Sequence, residues 1–403
     1  MRSLDEALDR LEEALDPLPL EAVALDEAAG RVLAEAVHAD RDDPPFDRSA
    51  MDGYAVRQTE AVVDATLALT GTVRAGDPRP SEGPGPGCAF RIMTGAPIPP
   101  GADSVLILEN TSAIAEGGIR VLQAARAGGN IRWRGEVRVS GAPVCAPGTF
   151  ITPEVLGVLA GVGQVRVPVH AAPTVTVLST GDELVAASQE PGPGQIRETN
   201  SWSVGALATA SGALVRGCRR VPDDPGAIRE AIETGIRTNV VVVSGGVSKG
   251  AFDHVRGALD ALGADILFHG VAIRPGKPVL AARVNDCLVF GLPGNPVSAV
   301  IAARVFLAPA LRRLQGRRFS RPAGILGRLT ATLPANGDRF AFLPARLTLS
   351  DGGLQVTPVQ TLGSADAVNH ALGDALILRE PAAAEALEGS LVPAWAPAGS
   401  ASV

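Results

Sequence analysis

The sequence predicts a multidomain protein of the α/β plus β class, in which a central α/β domain is preceded by a β domain and followed by a β barrel or sandwich. Apolar β-branched runs alternate with helical patterns between residues 174 and 311, which is typical of an α/β sheet. Short β-rich runs separated by Gly and Pro lie on both sides of this region. A chain of 403 residues is long enough for two to four such domains.

The N-terminal region begins with a predicted amphipathic helix. Ser3 and Glu6 form a capping-box pattern, and apolar residues recur at helical spacing until Pro17. A second helical segment is predicted from about residue 25 to residue 36. The loop of residues 40–57 then leads into a strand, and its cluster of acidic groups is also typical of a solvated face.

Residues 65–144 predict a small all-β domain. Their β-rich runs lie at 67–73, 88–92, 104–108 and 118–122, and the Pro- and Gly-rich segment 76–87 is predicted to be a surface connection. Two segments, 91–99 and 130–136, place hydroxyl and guanidinium groups near turns. Ordinary β-turn chemistry with exposed arginines is the alternative interpretation of both.

A change of pattern near residues 168–173 marks the start of the α/β domain. Strands at 174–178, 214–218, 240–243 and 287–290 alternate with helical patterns, which predicts a parallel sheet with right-handed crossovers. After a basic linker at 314–318, four further β runs predict the C-terminal barrel or sandwich. The Ala- and Pro-rich end beyond Leu391 is predicted to be mobile.

Three glycine-rich loops with polar tips lie within the α/β domain, at residues 244–250, 274–278 and 291–296. Among 36 Lys plus Arg only Lys249 and Lys277 are lysines, and both lie in these loops. Asn295 suits a helix N-cap and Pro296 the first helical position, so free backbone N–H groups point outward there. Glycines beside cations are typical of a phosphate or oxyanion site, although chance placement of lysines on solvated loops is the alternative.

Acidic residues follow the strand ends of the same domain. Asp182, Glu183, Asp223, Asp224 and Asp253 are expected to converge, because loops at the carboxyl ends of parallel strands line the ligand crevice. Carboxylates beside cationic loops suit Mg²⁺ that bridges carboxylate and phosphate oxygens. Helix capping is the alternative role, because Asp182, Asp223 and Asp253 lie near predicted helix starts.

Several classes of function lose support from composition and absent motifs. A formal net charge of −7 disfavours general nucleic-acid binding. The N-terminus lacks a signal-peptide pattern and no run of about 18 apolar residues occurs, so we expect a cytoplasmic protein without a membrane span. The four cysteines form no CxxC pair, and neither a P-loop, a strand-linked GxGxxG nor a GxSxG motif is present.

Seven motifs in order resemble those of the molybdopterin molybdenumtransferases, relatives of the E domain of gephyrin. They cover nearly the whole chain, and their agreement in order is far more specific than any one of them. The motifs are Ser49-Ala50-Met51-Asp52-Gly53-Tyr54-Ala55, Ile92-Met93-Thr94-Gly95-Ala96-Pro97, Asn130-Ile131-Arg132 with Gly135-Glu136, Ser179-Thr180-Gly181-Asp182-Glu183-Leu184, Ser244-Gly245-Gly246-Val247-Ser248, Arg274-Pro275-Gly276-Lys277-Pro278 and Gly291-Leu292-Pro293-Gly294-Asn295-Pro296-Val297-Ser298.

The resemblance implies an elongated homodimer of four-domain subunits. Residues 1–44 would fold together with residues 147–168, and the β domain of residues 45–146 would be inserted between them. Residues 169–316 would form a doubly wound α/β domain that binds molybdopterin, and residues 322–403 the C-terminal β domain. The active site would lie between the α/β domain of one subunit and the first two domains of the other.

The implied reaction is insertion of molybdate into adenylated molybdopterin with release of AMP, assisted by Mg²⁺. An upstream adenylyltransferase and recipient molybdoenzymes are the implied partners. Mg²⁺ would bind Glu183, Asp223 and Asp253, and Asp52 and Thr94 would come from the second subunit. With Asp52 and Lys277 these three acids are the predicted catalytic residues, and the predicted substrate-binding residues are Thr94, Arg132, Thr180, Ser244, Gly245, Gly246, Ser248, Lys249, Arg274, Pro293, Asn295, Pro296 and Ser298.

Two positions depart from the pattern of the family. An aspartate of its active site usually follows Gly135-Glu136, where this chain has Val137, and a lysine common before Arg274 is replaced by Gly270. The second hypothesis is therefore a non-catalytic protein that binds the pterin. An adenylyltransferase is a third, although the long N-terminal region and the C-terminal β domain argue against it.

Overall fold

The computed structural model describes residues 1–115, 117–246 and 254–397. These residues form two compact units. The first contains Met1–Glu35, Pro147–Pro153 and the chain from Arg166 onward, and the second contains Ala36–Ala146 and Glu154–Val165. Within the described ranges no helix combines the length and the apolar character needed to cross a membrane.

The helices and strands are numbered in chain order. The helices are α1 (Leu4–Glu13), α2 (Pro153–Gly161), α3 (Asn200–Ala210), α4 (Pro225–Gly235), α5 (His254–Ala261), α6 (Pro296–Ala302), α7 (Ala308–Leu314) and α8 (Ala367–Ala371), with a π-helical turn at Ala303–Leu307 and 3-10 turns at Leu25–Glu27, Gln58–Glu60 and Leu108–Asn110. The strands are β1 (Leu20–Ala24), β2 (Val37–His38), β3 (Arg48–Ser49), β4 (Gly53–Val56), β5 (Thr66–Val73), β6 (Cys88–Ile92), β7 (Ser104–Ile107), β8 (Thr111–Ile114), β9 (Gly118–Val121), β10 (Ile131–Arg132), β11 (Pro143–Cys145), β12 (Arg166–His170), β13 (Thr174–Thr180), β14 (Leu184–Val185), β15 (Ile196–Arg197), β16 (Leu214–Val221), β17 (Val240–Ser244), β18 (Asp265–His269), β19 (Ile273–Arg274), β20 (Leu280–Val284), β21 (Cys287–Leu292), β22 (Ile325–Leu329), β23 (Phe340–Ser350), β24 (Gly353–Pro358), β25 (Ala375–Arg379) and β26 (Leu391–Trp395).

The central sheet of the first unit has the strand order β16-β13-β17-β21-β20-β18. The pairs β13–β16, β13–β17 and β17–β21 are parallel, as predicted. The prediction of a wholly parallel sheet is wrong, because β20 pairs antiparallel with both β21 and β18. The reason is the two-residue turn between Val284 and Cys287, since a loop that short joins only antiparallel strands.

Helices cover both faces of this sheet, which confirms the predicted doubly wound arrangement. Leu8 and Leu11 of α1 pack with the π-helical turn on one face, and Ile232 of α4 and Leu259 of α5 pack on the other. The β-branched run of β17 is completely buried between these layers. A strand buried on both faces reads as a continuous apolar run, which is why the sequence reveals it.

In the N-terminal segment the predicted capping box is confirmed and the predicted second helix is wrong. Ser3 and Glu6 form the predicted capping box, with Ser3 N donating to Glu6 Oε2 at 2.8 Å. The expected helix at residues 25–36 is wrong, because only the 3-10 turn Leu25–Glu27 is helical. Gly30 adopts a φ of +77°, and Leu33 forms a β-bridge with Val169, so the backbone leaves the helical region.

The second unit is built around the sheet β7-β4-β6-β5-β9-β8, which confirms the small β domain. Its core includes Val56 of β4, Leu67 of β5 and Ile119 of β9, all buried. Strands β3 and β10 pair antiparallel beside this sheet, with Ser49 opposite Ile131. That pairing brings together segments of the chain that carry predicted site residues.

The C-terminal domain is a closed barrel rather than a sandwich. Its strands run β23-β24-β22-β26-β25, and β25 pairs back onto β23. The predicted mobility beyond Leu391 is wrong for Leu391–Trp395, because this segment is β26 and pairs with β22 and β25. Val392 and Ala394 point into the core at strand spacing, a short alternation that the Ala- and Pro-rich composition conceals.

Candidate active site

Parallel strands β13, β17 and β21 end in register, and this alignment places their loops together. Ser179 is the register partner of Ser244, and Ser244 is the partner of Leu292. The loops are also close in space, because a Cβ on Gly294 would lie 3.9 Å from Gly245 Cα. The described residues of these loops therefore lie together at the carboxyl edge of the sheet.

A buried polar network joins these loops, and its central residue was missed in the sequence. Asn200, the first residue of α3, donates from Nδ2 to Ser244 Oγ at 2.8 Å and to Gly294 O at 2.7 Å. Ser244 Oγ donates in turn to Pro293 O at 3.2 Å. An asparagine at a helix start reads as an ordinary capping residue, so only the structure shows that Asn200 joins two loops.

A cavity of about 590 Å³ opens beside this network. It is lined by Arg274, Lys277, Pro293, Asn295 and Ser298, all predicted as site residues. The structure thus brings together residues from two of the three glycine-rich loops and from α6. Ser248 and Lys249 of the other loop lie outside the described residues.

The C-terminal barrel supplies part of the cavity wall, which sequence reasoning did not predict. Arg339, Thr361 and Ser364 line the cavity, and Asn295 Nδ2 donates to Ser364 Oγ at 2.9 Å. Strand β19 pairs with β23, so the barrel also fixes the loop that carries Arg274. Nothing in the local sequence near Arg339 marks it as a site residue.

The cavity is electrostatically suited to an anion. The described residues that line it include Arg274, Lys277 and Arg339 but no aspartate or glutamate. Arg274 and Lys277 are exposed, and within the described part of the chain neither forms an ion pair. Arg339 Nε lies 3.9 Å from Oδ1 of the exposed Asp338, whereas Arg274 and Lys277 have no carboxylate partner among the described residues, so the cavity keeps a local positive potential in a chain whose net charge is −7.

Gly276 explains how the loop between the two cations can be so tight. Its φ is +110°, and a Cβ there would lie 2.9 Å from Ile273 Cδ1. The positive φ favours glycine, and a Cβ would also displace the end of the Ile273 side chain. The loop therefore holds Arg274 and Lys277 at the same cavity.

A group of oxygen atoms lies at the ends of β13 and β16. Thr180 Oγ1 and Asp223 Oδ1 are buried and have no hydrogen-bond partner in the described part of the chain. A Cβ on Gly246 would lie 3.3 Å from Thr180 Oγ1 and 3.9 Å from Asp223 Oδ1, so both atoms face this glycine. The Glu183 carboxylate lies over Gly181, whose Cβ would be 2.7 Å from Glu183 Oε2.

Two of the acids near this group, Asp182 and Asp224, form hydrogen bonds that stabilise the protein backbone. Asp224 is the N-cap of α4 and accepts from Ala227 N at 2.8 Å. Asp182 accepts from Asp223 N at 3.1 Å and thereby fixes the turn. The Oδ1 atom of Asp223, which has no hydrogen-bond partner among the described residues, could accept a metal ion. Among the described residues no group of three His, Cys, Asp or Glu side chains is placed to hold a metal ion, and Asp253 lies outside them.

Asp52 and Thr94 form a separate contact in the second unit. Asp52 Oδ1 accepts from Thr94 N at 2.7 Å and from Thr94 Oγ1 at 2.9 Å. The hydrogen bond from the Thr94 backbone, followed by that from its hydroxyl, lowers the pKa of Asp52. Ser49 holds the two loops together, because its N–H donates to Ala96 O at 2.9 Å and its carbonyl accepts from Gly95 N at 2.8 Å.

Arg132 is tied to the glutamate of its own motif. Arg132 Nη1 donates to Glu136 Oε1 at 2.9 Å, and Trp133 N donates to Glu136 Oε2 at 2.8 Å. The bond from Trp133 and then that from Arg132 lower the pKa of Glu136. Val137, next in the chain, is 66% exposed. An apolar side chain thus faces solvent beside the Arg132–Glu136 pair.

Comparison with known proteins explains these features together. Residues 2–163 match the family described as MoeA N-terminal region (domain I and II), residues 176–313 match "Probable molybdopterin binding domain", and residues 327–396 match MoeA C-terminal region (domain IV). The molybdopterin molybdenumtransferase of Bacillus subtilis (strain 168) is 34% identical over 386 residues, which are 93% of this chain and 89% of that protein. The chain belongs to the molybdopterin molybdenumtransferase family.

A further relative and a solved structure support the same family assignment. The molybdopterin molybdenumtransferase of Haemophilus influenzae is 37% identical over 320 residues, 79% of each chain. The crystal structure of a molybdopterin biosynthesis MoeA protein from Pyrococcus horikoshii OT3 has a TM-score of 0.84 and 28% identity, over 98% of this chain and 99% of that one. As predicted, this molybdopterin molybdenumtransferase family member is an enzyme of molybdenum cofactor biosynthesis.

Proposed function

We propose that the enzyme inserts molybdate into the dithiolene of adenylated molybdopterin and releases AMP in a magnesium-dependent reaction. The observation that carries this proposal is the cavity of about 590 Å³ on which Arg274, Lys277 and Ser298 converge. A tetrahedral oxyanion needs donors from several directions, and this wall supplies guanidinium, ammonium and hydroxyl donors from separate segments of the chain. The names of the relatives and the match to a molybdopterin-binding domain support the substrate.

In this proposal Arg274 and Lys277 bind the molybdate oxygens. Ser298 is 5% exposed and lines the cavity at the first turn of α6. Arg339 adds a third cation from the barrel side. Gly276 and the β19–β23 pairing fix the backbone of the loop that carries Arg274 and Lys277 before the substrate arrives, so little backbone reorganisation opposes binding.

The oxygen atoms near Gly246 fit a hard divalent cation. Asp223 Oδ1 is buried without a hydrogen-bond partner in the described part of the chain, and a carboxylate in that state is stabilised by a cation. Glu183 and Asp223 would hold Mg²⁺, with Asp253 the third predicted ligand. When bound, the cation neutralises and polarises the phosphate of the adenylate. Thr180, Gly245 and Gly246 shape the backbone against which that phosphate would lie.

We further propose that a homodimer completes the site, with Asp52, Thr94 and Arg132 supplied by the second subunit. Asp52 is held as a carboxylate by two donors from Thr94, so it can accept hydrogen bonds from the pterin. Analytical ultracentrifugation tests the assembly. A monomer at micromolar concentration would contradict the shared site.

Reconstitution with adenylated molybdopterin, molybdate and Mg²⁺ tests the reaction, with AMP release and active cofactor as the two readouts. Lys277→Ala should lower the rate about 10- to 100-fold, because it removes a charged donor worth about 1.5–3 kcal/mol. Arg229→Ala is the matched control, since Arg229 is an exposed cation on α4 paired with Glu233. Equal rates for both variants would exclude the cavity as the molybdate site, and ATP-dependent adenylation of free pterin would indicate an adenylyltransferase.

The position of Val137 favours a second candidate, a non-catalytic protein that binds the pterin. Its exposed side chain stands where the motif usually has a carboxylate, and Glu136 is already engaged by Arg132. Tight pterin binding without AMP release would support this candidate. Val137→Asp should then restore or raise molybdate insertion, whereas a variant with unchanged turnover would show that Val137 does not limit the reaction.

A further inference from the structure

A second cavity of about 620 Å³ adjoins the first, with Val297 and His370 in the walls of both. It lies between helices α3 and α6, the π-helical turn and the short helix α8. Of the predicted site residues only Pro296 lines it, and the proposed reaction gives this cavity no role. Its size is in the range that accommodates a small organic ligand.

Arg304 lies in this cavity, and no carboxylate of the described residues forms an ion pair with it. It belongs to the π-helical turn Ala303–Leu307 and is half-buried, yet its guanidinium forms no hydrogen bond or ion pair with any described residue. Burial lowers the pKa of Arg304. Pro309, just after the turn, has no N–H to continue the helical ladder, and π turns of this kind are frequent at functional sites.

His370 lies in the same cavity. Its Nε2 is buried and has no hydrogen-bond partner within the described ranges. Burial, and then the charge of Arg304, lower the pKa of His370, while Asp366 raises it. The acid in the cavity wall, Asp374, already accepts from Leu347 N at 2.9 Å. Neither carboxylate pairs with Arg304.

The remaining wall is largely apolar. Val297, Val300, Leu372 and Leu376 line it, together with Pro296. An inorganic anion would fill only a small part of about 620 Å³ and would leave these side chains without contacts. The cavity therefore suits a molecule with one doubly charged end and a larger organic body.

We propose that this cavity binds a small phosphate ester, with the phosphate on Arg304 and His370 and the organic body against the apolar wall. Arg304 offers a guanidinium fork that matches two phosphate oxygens, and Nε2 of His370 donates to a third when the ring is protonated. A dianion offsets the repulsion between Arg304 and imidazolium, and it therefore favours protonation of His370. The inference does not depend on the molybdate reaction, which uses the first cavity.

Isothermal titration calorimetry on the full chain tests the proposal with adenosine 5′-monophosphate, adenosine and inorganic phosphate as probes. We expect the nucleotide to bind at least tenfold more tightly than either fragment. Arg304→Gln should weaken nucleotide binding at least tenfold, whereas Lys277→Ala, the control in the first cavity, should change it less than twofold. Circular dichroism of both variants establishes that they are folded.

A second readout follows His370 directly in the unmodified protein. Its ring resonance, identified by its loss in His370→Asn, should report a higher pKa when the nucleotide is bound, because the dianion stabilises imidazolium. Equal binding of phosphate and nucleotide would refute a role for the apolar wall. Nucleotide binding that is kept in Arg304→Gln would place the nucleotide outside the second cavity, either in the first cavity, if Lys277→Ala removes the binding, or beside Gly246, where the adenylate phosphate is proposed to lie. Either outcome would refute the second site without affecting the proposed reaction. Undetectable nucleotide binding at millimolar concentration would also refute it.

Discussion

Replacement of Gly245 by alanine tests whether the loop after β17 is built for close approach to Thr180. Gly245 has a φ of +99°, and a Cβ there would lie 2.5 Å from Thr180 O and 2.8 Å from Thr180 Oγ1. Thr180 cannot easily recede, because its strand is paired with β16 on one side and β17 on the other. The substitution must therefore distort one of the two loops.

Two effects determine how much the substitution lowers the free energy of unfolding. A non-glycine residue in the left-handed region costs about 1–2 kcal/mol, and forcing a group into a packed site costs about 1–3 kcal/mol. The sum of about 2–5 kcal/mol corresponds to a decrease in Tm of about 4–10 °C for a unit of this size. AMP release should fall as well, because Thr180 and Gly246 lie where the adenylate phosphate is proposed to bind.

Gly257→Ala provides the matched control. Gly257 lies in the interior of α5, and a Cβ there would have nothing within 4 Å. This variant should gain about 0.5–1 kcal/mol from helix propensity. Thermal unfolding followed by circular dichroism measures both variants. A Tm for Gly245→Ala within 1 °C of the parent would refute the steric reasoning.

Three further predictions concern the acids and the barrel. Asp224→Ala removes the helix cap of α4, so it should lower the free energy of unfolding by about 0.5–2 kcal/mol without changing the Mg²⁺ requirement. Asp223→Asn should instead raise the Mg²⁺ concentration needed for half-maximal AMP release. Thr94→Val should raise the pKa of Asp52 toward its ordinary value in an NMR titration. Because that pKa is lowered in the folded protein, the stabilisation is present above the unfolded-state pKa and lost as pH falls through the folded-state pKa. Deletion from Leu391 onward removes β26 and should make residues 325–390 protease-sensitive, and continued resistance would show that the barrel does not need this strand.

The parts of the site visible in the sequence are those fixed by local chemistry. A fully apolar run followed by Ser244 and two glycines signals a buried strand and a tight turn. Asn295 and Pro296 likewise signal a helix start, and the structure places them at the N-cap and first helical position. Such features depend on neighbouring residues alone, so their position can be read without knowledge of the fold.

The parts that could not be predicted depend on distant pairing. Asn200 and Gly294 are 94 residues apart, and Arg339 reaches the cavity only because β19 pairs with β23. The antiparallel direction of β20 follows from a two-residue turn that is inconspicuous beside the glycine-rich loops. The short strand β26 contains Pro393 and Ala394, residue types that are depleted in strands, and its pairing with β22 and β25 depends on closure of the barrel.

Barrel closure also links the stability of the C-terminal domain to the cavity for the anion. Strand β23 pairs with β24 and β25 in the barrel, and with β19 at Arg274 and Ala341. Arg339 stands one residue before β23 and donates to Ile273 O at 3.4 Å. The strand that closes the barrel is therefore the same strand that holds the Arg274 loop, so we expect a loosened barrel to weaken the positive wall of the cavity.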